Sequence, residues 1–536
     1  MNNELTEKEK RLLFWASFLS LMAAGVGFVF RVMIPTMWSE AFQITMADVG
    51  ALTGTALWPI AITMIIFSLL VDKIGYKTSM FFAFTLQAVS IALTVSAKNA
   101  DTLWWACFCA GLGHGVVEAV INPLCASIYR EEKSKWLNIL HASWPAGIVI
   151  GGIVYILLVG TEDGLKWDDS KWIFWFMIAP VVGYGIMFLM CKRFPVDERV
   201  EAKVPYSAML KEFGGLGIFL ASSFIVYELV AQLNIDLGDS KLIICIAIGA
   251  ALGFIGGFLL KSTGKVLFFI LCLIMIPLAT AELATDAWIQ SLMRPIMGAN
   301  LAAWAIVLSA GIMMALRFFA GVPLKFMNPP QLLLLSSVFS IIGLFALSVT
   351  SGPAIFGAFV LYAIGQTFYW PTVLGFVAEQ FPRGGAVTLN TVSAIGLLTV
   401  GIFGSPFLGA VQDHYSTNAL KEKEPALVQS VINNKITYTD TTKPDAPEEK
   451  PVFEAKNFFG VNYDSINAGE FNKLPELDED RVAAINGTLA KTSQSSLKVA
   501  AVLPAIMAIA FLLIIFYYKA KGGYKAVELS ESGSSH

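Results

Sequence analysis

Few side chains in the apolar stretches of this chain carry charge, and those few sit where a proton or a polar solute would need them. The run Gly111-Leu112-Gly113-His114-Gly115-Val116-Val117-Glu118-Ala119-Val120-Ile121-Asn122-Pro123 sets a carboxyl group deep in apolar sequence, and Leu137-Asn138-Ile139-Leu140-His141 follows, with Trp144 close behind. A carboxylate near mid-membrane costs several kcal/mol unless it is paired, solvated or protonated. Such a group suits loading and unloading of a proton, whereas the plainer reading is a structural ion pair. Glu282 and Asp286 lie four apart, on one helical face, with Trp288 after them. They would bind a cation, share a proton or mark a helix end. Arg31 is a permanent cation in the first apolar block. His114 is of a type that titrates near neutral pH, although a lone membrane His more often bonds a neighbouring helix. Amides at Asn122, Asn138, Gln366 and Asn390 suit solute hydroxyls. Trp58, Trp144, Phe368, Tyr369 and Trp370 offer rings for apolar C–H faces, or simply pack.

The elements that hold these residues follow from composition. Of 536 residues, 56% are apolar and 14% charged, with mean hydropathy +0.67. Soluble chains carry about 25% charge, and here the deficit falls in repeated blocks that reach the roughly 20 residues needed to cross a bilayer. Inside lipid every backbone group must be bonded internally, so these blocks are helices. The expectation is an all-α polytopic membrane protein of fourteen spans, arranged 6+2+6. Six spans lie at about 12–37, 49–71, 78–97, 102–129, 138–160 and 172–191. Two follow at about 214–234 and 241–260, and six more at about 265–288, 298–322, 330–350, 353–379, 384–411 and 496–519. The domains read as an N-terminal tail 1–11, a bundle 12–191, a connector 192–213 and an inserted hairpin 214–260. Five helices of a second bundle follow over 265–411, then a polar loop 412–495, the last helix 496–519 and a tail 520–536.

Basic residues fix an orientation. Lys8, Lys10, Arg11, Lys73, Lys77, Arg130, Lys133, Lys135, Lys192, Arg193, Lys261, Lys265, Lys325, Arg383, Lys519, Lys521 and Lys525 fall in loops of one parity. By the positive-inside rule that side is cytoplasmic, with both termini, in a plasma membrane or a bacterial inner membrane. Residues 412–495 hold 14 Asp and Glu against 9 Lys and Arg, and read as an external spacer or small cap with amphipathic helices near 417–434 and 477–492. Asn486-Gly487-Thr488 fits a glycan acceptor, relevant only in a eukaryotic secretory route. The polar first ten residues lack the pattern of a removable signal peptide. The six Cys residues have no metal-ligand spacing and suit buried packing. No metal site, cofactor, nucleophile constellation or phosphate loop is expected, so the chain does not read as an enzyme. The net charge of −3 gives no case for nucleic acid.

The two six-span blocks repeat weakly. Asn122-Pro123 matches Trp370-Pro371, Leu137-Asn138 matches Leu389-Asn390, and Asp72-Lys73 lies in register with Arg317 to Gly321 and Lys325. Between the second and third spans runs Ser68-Leu69-Leu70-Val71-Asp72-Lys73-Ile74-Gly75-Tyr76-Lys77. It resembles the loop signature of the major facilitator superfamily, loosely Gly-x-Leu-Ala-Asp-Arg-x-Gly-Arg-Lys, with Ser68 at the leading Gly. By that resemblance Asp72, Lys73, Gly75, Lys77 and, in the second half, Arg317 form gating loops, Arg317 as a gate or surface anchor.

Within that superfamily the chain is similar to the fucose–proton symporter family of sugar carriers. That family carries Glu-x-x-x-Asn-Pro in its fourth span and Leu-Asn-x-x-Gln opening its fifth. Further likeness lies at Ala315 to Gly321, Tyr369-Trp370-Pro371-Thr372 and Gly384 to Asp413, outside the inserted pair and the 412–495 loop. The resemblance implies alternating access, Glu118 as an acid that handles substrate and proton, and a hexose or deoxyhexose as solute. Proton coupling is expected through Glu118 by this resemblance, with Glu282 and Asp286 added as candidates from their spacing on one helical face. The departures matter: the family's first-span acid is Arg31 here, and its fifth-span Gln is His141. Arg31 either neutralises an internal acid or binds an anionic solute. A direct pair with Glu118 is doubtful, because the two lie on the order of 10 Å apart along the membrane normal. The site is expected to gather Arg31, Glu118, Asn122, Asn138, His141, Trp144, Gln366, Tyr369, Trp370 and Asn390 in a monomer whose partners are solute, proton and bilayer. The alternatives are an organic-anion or acidic-sugar carrier using Arg31, and a membrane nutrient sensor that binds without flux.

Overall fold

A computed structural model describes residues 5–44, 46–161, 165–233, 235–286, 288–289, 298–352, 354–440 and 448–529. Among them thirteen helices are long and apolar enough to cross a membrane. The first six are α1 (Glu7–Met33), α2 (Asp48–Ile74), α3 (Tyr76–Ser96), α4 (Ala100–Ile128), α5 (Arg130–Leu158) and α6 (Trp167–Met190). Two more are α7 (Tyr206–Gln232) and α8 (Lys241–Leu260); α9 (Val266–Ala284), α10 (Ala299–Lys325) and α11 (Pro329–Val349) follow. After two shorter helices, α12 (Ala354–Gln366) and α13 (Tyr369–Gln380), come α14 (Pro382–Lys423) and α15 (Glu479–Ala520).

Local sequence explains the helix starts. Thr6 and Glu9 form a capping box on α1, Asn99 caps α4, and Asn328 caps α11 with Pro329 behind it. Each satisfies backbone N–H groups that a helix start leaves open. Helices α1 to α6 pack as one bundle and α9 to α15 as another. They meet where α2 and α4 lie on α14 and where α5 lies on α10 and α13. The inserted pair stays outside: α7 lies against α14 and α9, and α8 packs chiefly on α7.

Two stretches differ in detail from the expectation. The stretch read as one span over 353–379 is α12 and α13, broken at Thr367-Phe368, and neither piece alone has the length to cross. The break has a physical use: it frees backbone groups that Arg317 and Glu282 take up. Polar partners make such a break tolerable at membrane depth. The 412–495 stretch has helices near both places expected, Pro425–Asn433 and within Glu479–Ala500, and it adds strands to a fold expected to be all helix. Helices α14 and α15 carry it, and it holds two antiparallel hairpins, β1 (Thr437–Asp440) with β2 (Glu448–Pro451) and β3 (Phe453–Phe458) with β4 (Val461–Ile466). Leu420, Val428, Val431, Val452, Ile466, Phe471 and Ile485 form its own core. The charge excess of the stretch hides these apolar positions in sequence. At its tip Phe458 and Phe459 pack on Phe403 of α14, and Phe459 also lies beside Tyr227 of α7.

Candidate functional site

Helix α4 presents one polar stripe, and Glu118 is its centre. Only 7% of Glu118 is exposed. Asn122, one turn on, donates its amide to Glu118 Oε2 at 2.7 Å, and its own Oδ1 lies 2.9 Å from His141 Nε2. His114, one turn back, lies 3.6 Å from Glu118 Oε1. The His114 ring stacks on Trp144 at 5.2 Å and 17°, and Trp144 packs on Phe28 at 5.2 Å. Spacing of three to four residues puts His114, Glu118 and Asn122 on one face, and α5 brings His141 and Trp144 to it. Glu118 thus sits between two imidazoles, with the Asn122 amide bonded to both Glu118 and His141.

A second polar centre lies in the other bundle. Glu282 falls in a π-helical turn, Thr280–Ala284, which packs against a second one, Val400–Gly404. Such turns recur at functional sites because they shift side chains and backbone groups out of register. Arg317 Nη2 donates to Glu282 Oε1 at 2.7 Å, Nε to the Thr367 carbonyl at 2.7 Å, and Nη1 to the His141 carbonyl at 3.0 Å. Glu282 Oε2 accepts from the Trp370 N–H at 3.0 Å. Asp286 does not share this centre; Gln366 donates to it at 3.1 Å.

Arg317 keeps its expected place at the end of its helix, but its side chain is buried rather than at a surface. It is 2% exposed and lies in the last turn of the α-helical part of α10, Ala299–Phe318. A guanidinium so placed needs a charged partner and full hydrogen bonding, and Glu282 with two carbonyls supplies both. Sequence position alone did not reveal that partner.

Two of the amides expected to meet solute make contacts between the bundles. Asn138 donates to Thr372 Oγ1 at 3.1 Å, and Asn390 donates to the Ala119 carbonyl at 3.1 Å. Each reaches from the fifth helix of one bundle to the fourth of the other, so the Leu-Asn repeat marks matching contacts between bundles. Asn390 Oδ1 and Gln366 Oε1 are buried without a hydrogen-bond partner among the described residues. Tyr369 is buried with its hydroxyl near Ser337 and Ser340, and the Trp370 ring lies against Gly396. Arg31 stands apart from Glu118. Its Nη1 donates to the Gly27 carbonyl at 3.0 Å, and it faces Cys107. Among the described residues it has no ion-pair partner.

The basic-loop end of the molecule is closed. Asp72 pairs with Arg199 of the connector, Lys73 sits over the Tyr206 ring at 5.7 Å, and Lys77 donates to the Leu189 carbonyl at 2.9 Å. Gly75 turns the loop at φ 82°, a conformation that favours glycine. Between bundles, Lys133 donates to Glu198 at 2.5 Å and to the Ala378 carbonyl at 3.3 Å, while the Ser134 hydroxyl donates to Glu379. Arg199, Ser134 and Glu379 were not singled out from sequence, because each is an ordinary polar residue at a helix end.

Comparisons with known proteins bear on this arrangement. The Major Facilitator Superfamily profile matches residues 13–410. A gentisate transporter of Corynebacterium glutamicum is 25% identical over 167 residues, 31% of this chain and 36% of that protein, so the match spans about a third of the relative's length. The Escherichia coli fucose:proton symporter superposes with TM-score 0.54 at 15% identity, over 75% of this chain and 92% of that one. A human organic anion transporter superposes with TM-score 0.52 at 10% identity, over 94% and 99%. At these identities the structural likenesses speak for the fold.

Proposed function

This chain belongs to the Major Facilitator Superfamily, a membrane transporter rather than an enzyme, and we propose that it carries a small organic anion by proton-coupled alternating access. The observation that supports this solute class is Arg31, a half-buried guanidinium inside the first bundle whose side-chain hydrogen bond goes to a carbonyl of its own helix. A carboxylate is the natural partner for such a group. The curated relative is named for gentisate, which is a carboxylate.

Proton coupling rests on Glu118 and Glu282. Each is a buried acid with a defined set of partners, and Arg317 bridges Glu282 to the His141 carbonyl of the other bundle. In this reading α12 and α13 cross the membrane together as the fourteenth span. The basic loops face the cytoplasm with both termini, and the 412–495 unit covers the outer side. The inserted pair lies at the periphery of a monomer in the plasma membrane.

The second reading is a hexose or deoxyhexose, as the sequence likeness implies. The unpartnered oxygens of Asn390 and Gln366 support it, since a sugar hydroxyl would supply their missing donor. Counterflow in proteoliposomes over a panel of organic acids and neutral sugars, with and without a pH gradient, tests both. Counterflow of acids alone supports the first reading, and of neutral sugars alone the second. Binding without counterflow would leave a nutrient sensor.

A further inference from the structure

The chain after α15 does not trail away. Gly522 and Gly523 take φ of 90° and 106°, and the Gly523 N–H closes back on the Tyr518 carbonyl at 2.9 Å. Left-handed residues of this kind end a helix and reverse the chain. The reversed segment then lies along the end of α13. The Tyr524 hydroxyl donates to Glu379 Oε2 at 2.6 Å, and the Val527 N–H donates to the Glu379 carbonyl at 2.8 Å. Gln380 donates to the Lys525 carbonyl at 2.8 Å, and the Tyr524 ring packs on Phe376 and Tyr518.

Glu379 is the residue that reaches the other bundle. Its second oxygen, Oε1, accepts from both the N–H and the hydroxyl of Ser134. One carboxylate is thus divided between the tail and the opposite bundle. We propose that residues 522–528 form a strap that orients Glu379 for its contact with Ser134 and so favours the state closed at the basic-loop end. Tyr524 is a positioning residue in this device: it fixes the carboxylate by holding Oε2, and Oε1 is then aimed at Ser134. Alternating access requires that contact to break in every cycle, so the strap sets how often this end opens.

Amide hydrogen exchange on the full chain in lipid nanodiscs tests the strap without knowledge of the solute. Tyr524→Phe keeps the ring and removes the hydroxyl; Val527→Pro removes the N–H; a chain ending at Lys521 removes the strap. Loss of one charge-assisted hydrogen bond corresponds to about a tenfold shift in an equilibrium. Exchange at residues 132–137 and 376–381 is expected to rise by about that factor in Tyr524→Phe, and more in the shortened chain, with α3 unchanged. If the shortened chain fails to fold, the two point variants decide. Unchanged exchange at both segments in the folded variants overturns the proposal, as does a uniform rise that includes α3.

Discussion

Arg317 and Glu282 form a buried ion pair at 2.7 Å, and the same guanidinium donates to the carbonyl of His141 in the opposite bundle at 3.0 Å. The pair is therefore also a joint. Neutralising Glu282 removes the charge that holds Arg317 in place, and with it the geometry of the contact to His141. The break at Thr367-Phe368 is part of this joint, since the freed Thr367 carbonyl is the third acceptor.

Breaking the pair from one side leaves a buried charge alone. Glu282→Gln or Arg317→Gln is expected to destabilise the protein by about 3–5 kcal/mol, read as a fall in thermal melting temperature in detergent. The double variant should recover most of that loss and still fail to concentrate solute against a gradient. Single variants that melt like the parent would refute the joint.

Much of this was legible beforehand, for identifiable reasons. Glu118 stood out because an acid in apolar sequence is costly, and Gly75 because a tight loop between helices needs one. Pairings between distant segments were not legible. Nothing in the sequence near Arg317 names Glu282, 35 residues earlier, nor ties Ser134 to Glu379. The break in the span over 353–379 was not legible because hydropathy averages over the stretch and does not see that two residues leave the helix. The hairpins were hidden because their strands are short and polar, and few of their residues, Ile466 among them, enter the core.

Glu118 belongs to a chain of His114, Asn122 and His141, and the proposal gives it the proton. Glu118→Gln keeps the shape and an acceptor oxygen while removing the titrating group. Counterflow should persist, and uptake driven by an imposed pH gradient should fall to the background of empty vesicles. Uphill uptake that survives with its pH dependence intact would remove Glu118 from the coupling.

Closure at the basic-loop end depends on Gly375. A Cβ there would lie 2.5 Å from the Ser134 Cα, a contact with backbone that no side-chain rotation relieves. Gly375→Ala should hold this end open, because the closed state alone brings the two helices so near. The expected reading is faster amide exchange at residues 132–137 with little change in melting temperature. An unchanged exchange pattern would mean the helices approach less closely than described.

Asp197, beside the Asp72–Arg199 pair, should make stability sensitive to pH. Burial pushes its carboxyl above the usual range, and the nearby Asp72 carboxylate adds to this, against the Arg199 N–H that donates to it at 2.9 Å. A raised value means the folded state holds the proton more tightly than the unfolded one. Stability is thus lost as pH rises from the ordinary Asp value through the folded one. Asp197→Asn keeps an acceptor for the Arg199 N–H and should flatten that part of the melting profile. A profile identical to the parent's would show that Asp197 does not titrate in this window.

The proposed solute class rests on Arg31. Its guanidinium presents a planar fork suited to a carboxylate, and among the described residues no acid occupies it. Removing a hydrogen bond to a charged group costs about 1.5–3 kcal/mol, which is roughly a tenfold to hundredfold loss of affinity. Arg31→Gln should therefore raise the half-saturating concentration of organic acids by at least about tenfold and leave that of neutral sugars unchanged. Arg31→Lys should fall between, because it keeps the charge and loses the fork. Competition assays with acid and neutral forms of one sugar measure both effects on a single scaffold. Equal losses for the two forms would assign Arg31 to the fold, since a residue that holds helices together cannot tell a carboxylate from a hydroxymethyl group.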